Sequence, residues 1–144
     1  MNILRFMIPK SMVLYVENDS TVRQALEKMK FHRYAAIPVL DKEGHYVGTL
    51  RNDDLFRYFM DTGSFDARAA EGDSVESILV DGYDAVYHNA TMNELIERVK
   101  EHNFAPVVDD RGCFIGIILR KDILNYLLSY YEQCRDKEEN PKGD

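Results

Sequence analysis

Cysteine, basic charge and long apolar runs are all scarce in this 144-residue sequence, and each shortage excludes a class of protein. The two cysteines, Cys113 and Cys134, show no metal spacing and no disulfide framework, and we expect one thiol buried in a strand and one near a helix end. The net charge of −7 provides no field that would attract nucleic acid phosphates. No segment approaches the roughly 20 apolar residues of a membrane span, and residues 1–10 do not resemble a signal peptide. We therefore expect a cytoplasmic protein with neither nucleic acid nor a membrane as partner.

Catalytic and metal-binding patterns are equally scarce. The sequence contains no glycine-rich phosphate loop, and its serine, cysteine and histidine residues form no visible nucleophile-and-base arrangement. The histidines are scattered without metal-ligand spacing. These features predict a protein that is not an enzyme, holds no metal and requires no cofactor. The histidines are His32, His45, His88 and His102.

An internal repeat is the strongest feature that is present. Residues 38–59, PVLDKEGHYVGTLRNDDLFRYF, align without a gap to residues 106–127, PVVDDRGCFIGIILRKDILNYL. The identical residues are Pro, Val, Asp, Gly, Gly, Asp and Tyr, and many of the others are apolar exchanges. Chance does not produce such a match over so short a stretch, so the chain contains a duplication, the sign of a repeat architecture.

The repeat extends upstream into an amphipathic helix in each copy. Residues 20–29 and 90–99 carry apolar residues at i, i+3, i+4 and i+7, the spacing of one helix face. A hydroxyl residue precedes each face, so Ser20 or Thr21, and Thr91, are predicted N-caps.

Each copy therefore predicts the order strand, helix, strand, strand, helix. The strands are expected at 12–16, 35–40 and 45–50, and at 84–88, 104–108 and 113–119. Residues 41–44 and 109–112 have the Asp and Gly of tight hairpin loops. A second helix is expected to begin near Asp54 and Asp122. The predicted fold is α+β, with units at 7–60 and 75–128, a linker at 61–74 and a helix end and frayed tail at 129–144. Each unit is too small to fold alone, so we expect the two sheets to pair face to face.

The repeated pattern PVxDxxGxxxGxxxxxDhhxYh, where h is apolar, resembles the CBS domain, here as a tandem pair or Bateman module. The resemblance covers residues 7–128. Within the family, the sequence looks most like the small stand-alone CBS-pair proteins of Gram-positive bacteria. It implies two β-α-β-β-α units packed with pseudo-two-fold symmetry around a cleft with two ligand sites. The ligands it implies are AMP, ADP, ATP, S-adenosylmethionine or a cyclic dinucleotide such as cyclic di-AMP.

The resemblance also implies roles for residues at the junction between the last strand and the second helix. By position, Asp54 and Asp122 would take the ribose hydroxyls, although an acid in the first turn of a helix is also favoured by the helix dipole alone. The family's Ser or Thr is replaced by Arg51 and by Leu119. Arg51 is suited to phosphate, and Arg120 and to a lesser degree Lys121 would compensate in the second copy, unless they are merely solvated. We expect the two sites to be unequal.

The walls of the ligand slot are likewise implied by family position, from the segment before each first helix and from the entry to the following strand. Tyr34 or Phe104 would stack an adenine, although an aromatic at a strand start is more often plain core. The implied wall residues are Lys10, Leu14, Tyr34, Ile37 and Pro38 in the first copy, and Val80, Asp84, Phe104 and Pro106 in the second.

The second helices, 54–60 and 123–131, are strongly apolar and aromatic. If part of that surface remains exposed it would form an association face, which favours a homodimer. The leading hypothesis is a regulatory module that senses an adenine nucleotide and acts on an effector protein in trans. The alternative is a ligand-free dimeric scaffold with degenerate nucleotide sites, for which the missing hydroxyls are the motivating feature.

Overall fold

The computed structural model describes residues 2–66 and 68–139, in which four α-helices and two β-sheets form two similar units. The α+β class and the order of elements within each unit agree with the sequence prediction. The elements are β1 (Ile8–Pro9), β2 (Val16–Glu17), α1 (Val22–His32), β3 (Ala36–Leu40), β4 (Tyr46–Arg51), α2 (Asn52–Thr62), β5 (Val86–Tyr87), α3 (Met92–Glu101), β6 (Phe104–Val108), β7 (Phe114–Leu119) and α4 (Arg120–Glu139).

The first helix of each unit begins with the same capping device. The Thr21 side chain accepts from the backbone N–H of Gln24, and the Gln24 side chain accepts from the N–H of Thr21. Thr91 and Glu94 repeat this capping box at the start of α3. The predicted N-caps Thr21 and Thr91 are therefore confirmed, whereas Ser20 lies before the cap. The predicted apolar faces are turned into the two cores.

The two hairpin loops also repeat each other. The Asp41 carboxylate accepts from the backbone N–H groups of Glu43 and His45, at 2.9 Å each, and Asp109 does the same for its own loop. Gly44 and Gly112 close the loops at φ values of 88° and 79°, where a side chain would be strained. The predicted tight loops are confirmed, with Asp at the start and Gly at the end.

Each sheet is built mainly from one unit. β2, β3 and β4 form the first sheet, with β2 parallel and β4 antiparallel to the central strand. β5, β6 and β7 repeat this arrangement in the second sheet. The extended segments expected at 12–16 and 84–88 are shorter than predicted, since only β2 and β5 pair with a neighbour.

The N-terminal segment crosses to the second unit, which the sequence did not predict. β1 pairs antiparallel with β7, with Ile8 opposite Ile117 and Pro9 opposite Gly116. Ile3, which is 1% exposed, packs into the core of the second unit. The N-terminal segment, which precedes the first sheet, therefore completes the sheet of the second unit.

The two units meet at their hairpins. Tyr46 N–H donates to the Gly112 carbonyl at 3.1 Å, and Phe114 N–H donates to the Gly44 carbonyl at 2.9 Å. Because these residues occupy equivalent positions in the two copies, the exchange is reciprocal and follows the pseudo-two-fold symmetry of the pair.

The linker contains short helical segments, and the tail is helical over more of its length than expected. α2 continues to Thr62, and 3₁₀ helices at Ala69–Gly72 and Val75–Ile78 pack against the first unit. α4 continues to Glu139, so residues 134–139 are helical rather than frayed, and the expectation for 140–144 lies outside the described residues.

The cysteines also differ in part from expectation. Cys113 is half-buried where the two hairpins meet rather than fully buried in a strand, and Cys134 is exposed on α4. No helix in the described ranges has the length and apolar character needed to cross a bilayer.

Candidate functional site

A cleft of about 330 Å³ lies between the two units, beside the first strand-to-helix junction. One side comes from the start of β3 and the junction of β4 with α2. The other side comes from the segment before β5 and the end of α3. The lining residues are Ala35, Ala36, Arg51, Asn52, Asp53, Tyr83, Glu101, His102 and Asn103.

At this junction Arg51 and Asp54 are bound to each other. The Asp54 carboxylate accepts from the Arg51 backbone N–H at 2.9 Å and from its guanidinium at 3.2 and 3.3 Å. The Asp54 side chain is 0% exposed, whereas the Arg51 side chain is 31% exposed and lines the cleft. The Asp54 hydrogen bond raises the pKa of the Arg51 guanidinium further, so this arginine stays charged. Asp54 thus caps the first turn of α2. Arg51, and not Asp54, is exposed to the cleft.

Tyr83 forms a fixed wall of the cleft although it belongs to neither repeat pattern. Its hydroxyl donates to the Phe104 carbonyl at 2.9 Å, and its own carbonyl accepts from the Tyr46 hydroxyl at 2.6 Å. Its ring stacks on His102, with centroids 3.7 Å apart and planes 17° apart. Burial raises the pKa of the Tyr83 phenol, which therefore remains protonated and donates.

The second junction has a different arrangement. Asp122 is half-buried and lines a separate cavity of about 590 Å³ between the N-terminal segment and α4. Within the described chain no Lys or Arg nitrogen lies within 4.0 Å of its carboxylate. Arg120 is engaged elsewhere, because its Nε donates to the carbonyls of Val99 and His102 at 2.7 and 3.1 Å. The cavity is lined by Arg5, Phe6, Asp122, Asn125, Tyr126, Ser129, Tyr130 and Gln133.

The predicted wall residues of the first copy are spread over several surfaces. Ile37 and Pro38 are buried in β3. Tyr34 is 39% exposed and lines a separate groove of about 350 Å³ beside α1. Leu14 lies in another groove, of about 560 Å³, and the Lys10 ammonium stands 5.4 Å from the Tyr15 ring centroid.

In the second copy, Phe104 and Pro106 are buried in β6, and Val80 and Asp84 are exposed. The Phe104 ring centroid lies 5.4 Å from that of Tyr83, so Phe104 stands behind the cleft wall. Of all the predicted ligand residues, the structure brings only Arg51 to the cleft surface. The ligand roles assigned to the others stay predictions.

Tyr83 and His102 were missed because the repeat does not mark them. Tyr83 lies between the 3₁₀ helix Val75–Ile78 and β5, and His102 follows the last residue of α3. They meet where the segment before β5 packs on the end of α3. Their aromatic character was visible in the sequence, but no spacing rule connected them to Arg51.

An apolar face runs along α2 and α4 at equivalent positions of the two copies. Phe56 and Leu124 are 64% and 56% exposed, and Met60 and Leu128 are 56% and 57% exposed. Each pair is spaced i, i+4 on its helix, so one stripe on each second helix faces away from the core. Tyr131 extends the stripe on α4 and is 62% exposed.

Curated relatives match this chain over most of its length but over only part of their own. Inosine-5′-monophosphate dehydrogenase from Aquifex aeolicus is 27% identical over 124 residues, 85% of this chain and 24% of that protein. The magnesium and cobalt efflux protein CorC from Pasteurella multocida is 24% identical over 136 residues, 92% of this chain and 43% of that protein. The chain therefore spans 24% of the dehydrogenase and less than half of CorC.

Solved structures match the chain over nearly its whole length. A structure of CbpB in complex with c-di-AMP has a TM-score of 0.81 and 21% identity, and covers 95% of this chain and 91% of its own. CbpB from Listeria monocytogenes, also with c-di-AMP, has a TM-score of 0.80 and 21% identity, covering 92% and 99%. CBSX2 in complex with AMP has a TM-score of 0.70 and 22% identity, covering 90% and 98%. At these identities the likeness establishes the fold, two repeats packed as a pair.

The family model described as the CBS domain matches this chain twice, over residues 6–61 and again over residues 75–129. The two matches contain both strand-to-helix junctions and all four α-helix starts, so the sequence repeat and the structural repeat coincide. The predicted resemblance to a tandem pair of CBS domains is confirmed. The chain belongs to the CBS-domain family and carries the domain in tandem.

Proposed function

We propose that the chain is a regulatory CBS pair that binds an adenosine-containing ligand between its repeats and acts on a separate effector protein. The observation that carries the proposal is the cleft beside Arg51. Its volume of about 330 Å³ is within the range of small-ligand sites. Its lining combines the Arg51 guanidinium with the aromatic residues Tyr83 and His102. The likeness to CbpB and CBSX2, whose structures contain c-di-AMP and AMP, supports an adenosine ligand.

Arg51 is the residue we propose for the phosphate. Its guanidinium is planar and permanently charged, and it lines the cleft at the start of α2. Asp54 reaches a ribose only if Arg51 releases its carboxylate, so a phosphate that recruits Arg51 would free the acid behind it. Asp122, which has no basic partner within 4.0 Å in the described chain, remains the proposed ribose residue of the second site.

We propose regulation in trans rather than catalysis. Within the described ranges no group of His, Cys, Asp or Glu side chains is arranged to hold a metal ion. The family match occupies most of the chain, so we propose that the protein is not an enzyme and that its output passes to a partner. Two free thiols are consistent with a reducing cytoplasm.

Homodimerisation is the proposed use of the apolar face on α2 and α4. The two stripes occupy equivalent positions of the two repeats, so the pseudo-two-fold symmetry of the pair relates them. A second copy turned by a two-fold rotation would cover both stripes with one kind of contact, as in isologous interfaces.

Thermal unfolding with a ligand panel tests the proposed function. The panel contains AMP, ADP, ATP, S-adenosylmethionine, NAD and cyclic di-AMP, with GMP as a base control. A ligand at one hundred times its dissociation constant adds about 2.7 kcal/mol to the free energy of unfolding, which raises Tm by roughly 5–10 °C. The absence of a shift with every adenosine compound at millimolar concentration would contradict the proposal.

A ligand-free scaffold is the second candidate, and the burial of Asp54 under Arg51 favours it. In that case an effector protein would bind with the same affinity with and without nucleotide. A nucleotide-dependent affinity that Asp122→Ala or Arg51→Ala abolishes would exclude the scaffold.

A further inference from the structure

The Tyr83–His102 pair is an aromatic platform on the wall of the cleft opposite the α2 junction. The two rings are nearly parallel, at 17°, with a centroid separation of 3.7 Å. Tyr83 is 6% exposed and lies beneath, whereas His102 is half-buried, and both line the cleft. Among the described aromatic contacts His102 stacks with Tyr83 alone, so one face of the imidazole is not covered by another ring.

The platform is held in place before any ligand arrives. The Tyr83 hydroxyl is hydrogen-bonded to Phe104 of the second unit, and the Tyr83 backbone carbonyl to Tyr46 of the first. The His102 backbone carbonyl accepts from Arg120, and its Nε2 lies 3.4 Å from the Gly82 carbonyl. A ring fixed in this way loses little conformational freedom when a ligand stacks on it, which favours binding.

The platform exists in only one repeat. His32 occupies the position in α1 that His102 occupies after α3, but it is exposed and contacts Phe31 and Tyr34 instead. The pair is thus not required by the repeat fold, because the first unit forms without it. Its placement in the cleft calls for a separate explanation.

We propose that His102, backed by Tyr83, is the base-stacking residue of the cleft and makes the cleft select purine over pyrimidine nucleotides. This inference rests on the proposed function, since it names the residue that holds the base of the same ligand. A base placed on the face of His102 that Tyr83 does not cover would be the third ring of a stack. The larger ring system of a purine covers more of the imidazole than a pyrimidine does, and stacking grows with that overlap.

The geometry also gives the ligand an orientation. Arg51 and His102 line the same cleft from opposite units. A nucleotide with its base on His102 would direct its phosphate toward Arg51, so it would contact both repeats. Binding then joins the two units through one ligand, at the place where Tyr46 and Tyr83 already join them.

Isothermal titration with AMP, cyclic di-AMP and CMP tests the inference. AMP and CMP carry the same phosphate charge and differ in the base, so their ratio isolates stacking from electrostatics. We expect the wild-type protein to bind AMP or cyclic di-AMP and to bind CMP at least about tenfold more weakly. His102→Leu should weaken adenosine binding by about ten- to hundredfold and remove the preference over CMP.

Two further variants separate stacking from folding. His102→Phe keeps a ring on Tyr83 and should restore at least part of the purine preference. His32→Leu changes the equivalent histidine of the other repeat and should bind as the wild type does. All variants are compared with the wild type for their Tm without ligand.

The outcomes distinguish this inference from the proposed function. If an adenosine ligand binds to His102→Leu as tightly as to the wild type, the stacking role is wrong and the proposed function stands. Equal binding of AMP and CMP to the wild type overturns the purine selectivity. If neither AMP nor cyclic di-AMP binds, the inference fails, and the full ligand panel then decides whether the proposed function fails with it.

Discussion

The rings of Tyr46 and Phe114, which occupy equivalent positions in the two repeats, stack across the boundary between the units with centroids 6.4 Å apart and planes 24° apart. Each residue also donates its backbone N–H to the glycine at the end of the other unit's hairpin loop. The pair is symmetric in its rings and backbone but not in its polar atoms, because only Tyr46 has a hydroxyl. That hydroxyl binds Thr49 at 2.7 Å and donates to the Tyr83 carbonyl at 2.6 Å.

Tyr46→Phe is expected to lower the free energy of unfolding by about 1–3 kcal/mol. The ring that stacks on Phe114 would remain, but the Tyr83 carbonyl and the buried Thr49 hydroxyl would lose their partner. Urea denaturation measures the change. Tyr87→Phe, on a side chain that is 59% exposed, is the control and should stay within about 0.5 kcal/mol of the wild type. Equal effects of the two changes would contradict the role of the Tyr46 hydroxyl.

Gly116→Ala is expected to destabilise the protein by more than about 2 kcal/mol, because a Cβ there would overlap the Ile8 carbonyl and the Met7 side chain. The displaced atoms belong to β1, which pairs with β7, and to the residue before it. Hydrogen exchange of the amides in residues 3–9 should therefore accelerate together with the loss of stability.

Gly48→Ala is the matched control for this prediction, since Gly48 is the equivalent glycine of the first unit. A Cβ there would lie 3.2 Å from Cδ1 of Leu79, a side chain that can shift by a few tenths of an ångström. We expect a loss of less than about 1 kcal/mol and no change in the exchange of residues 3–9. If Gly116→Ala and Gly48→Ala lose similar amounts of unfolding free energy, contact with β1 is not the reason that position 116 requires glycine.

The parts of the fold that repeat were predictable, because two copies of one pattern constrain each other. The capping residues Thr21 and Thr91 and the loop residues Asp41 and Asp109 were identified in this way. The crossing of residues 3–9 was not, since the aligned parts of the repeat, residues 20–29 with 90–99 and 38–59 with 106–127, do not include this segment. Its apolar residues gave no sign of which sheet would accept them.

The candidate site was less predictable than the fold. Arg51 was recognised from its position at the junction, but the closure of Arg51 over Asp54 depends on side-chain conformations that a sequence pattern does not specify. Tyr83 and His102 both lie in the second unit, but they meet only when the segment before β5 packs on the end of α3. Such contacts are set by tertiary packing, which local periodicity does not encode.

Asp54→Asn is expected to lower the free energy of unfolding by about 1–3 kcal/mol without any ligand present. The change removes the charge that binds the Arg51 guanidinium. It also replaces one carboxylate oxygen by an NH₂ group, which cannot accept a hydrogen bond from the N–H groups of Arg51. Asp53→Asn is the matched control, because Asp53 lies next to it in the same turn and is exposed, so its effect should stay within about 0.5 kcal/mol. Thermal and urea unfolding of the ligand-free variants measure both. An Asp54→Asn protein as stable as Asp53→Asn would show that the buried pair does not support the start of α2.

Tyr58 should make stability depend on alkaline pH. Its hydroxyl donates to the Asp73 carboxylate at 2.5 Å, which raises the pKa of Tyr58 to about 12. The fold therefore favours the neutral phenol, whose pKa in an unfolded chain is about 10. The stabilisation is complete below about pH 10 and is lost as the pH rises toward about 12.

The stability difference between the wild type and Tyr58→Phe, measured by urea denaturation, should accordingly shrink between neutral pH and about pH 11. Asp73→Asn keeps the phenol but removes the carboxylate, so it should remove most of the pH dependence that Tyr58 contributes. A difference that stays constant over this range would contradict the coupling.

The association face gives the last prediction. Phe56→Lys and Leu124→Lys place a charge in each exposed stripe, where burial against a second copy would require desolvating it. We expect sedimentation equilibrium to give twice the mass of one chain for the wild type and the mass of a single chain for the double variant. Phe31→Lys is the control, since Phe31 is 82% exposed but lies on α1, away from both stripes. If the wild type is monomeric at high micromolar concentration, or if Phe31→Lys dissociates the dimer and the double variant does not, the stripes on α2 and α4 do not form the interface.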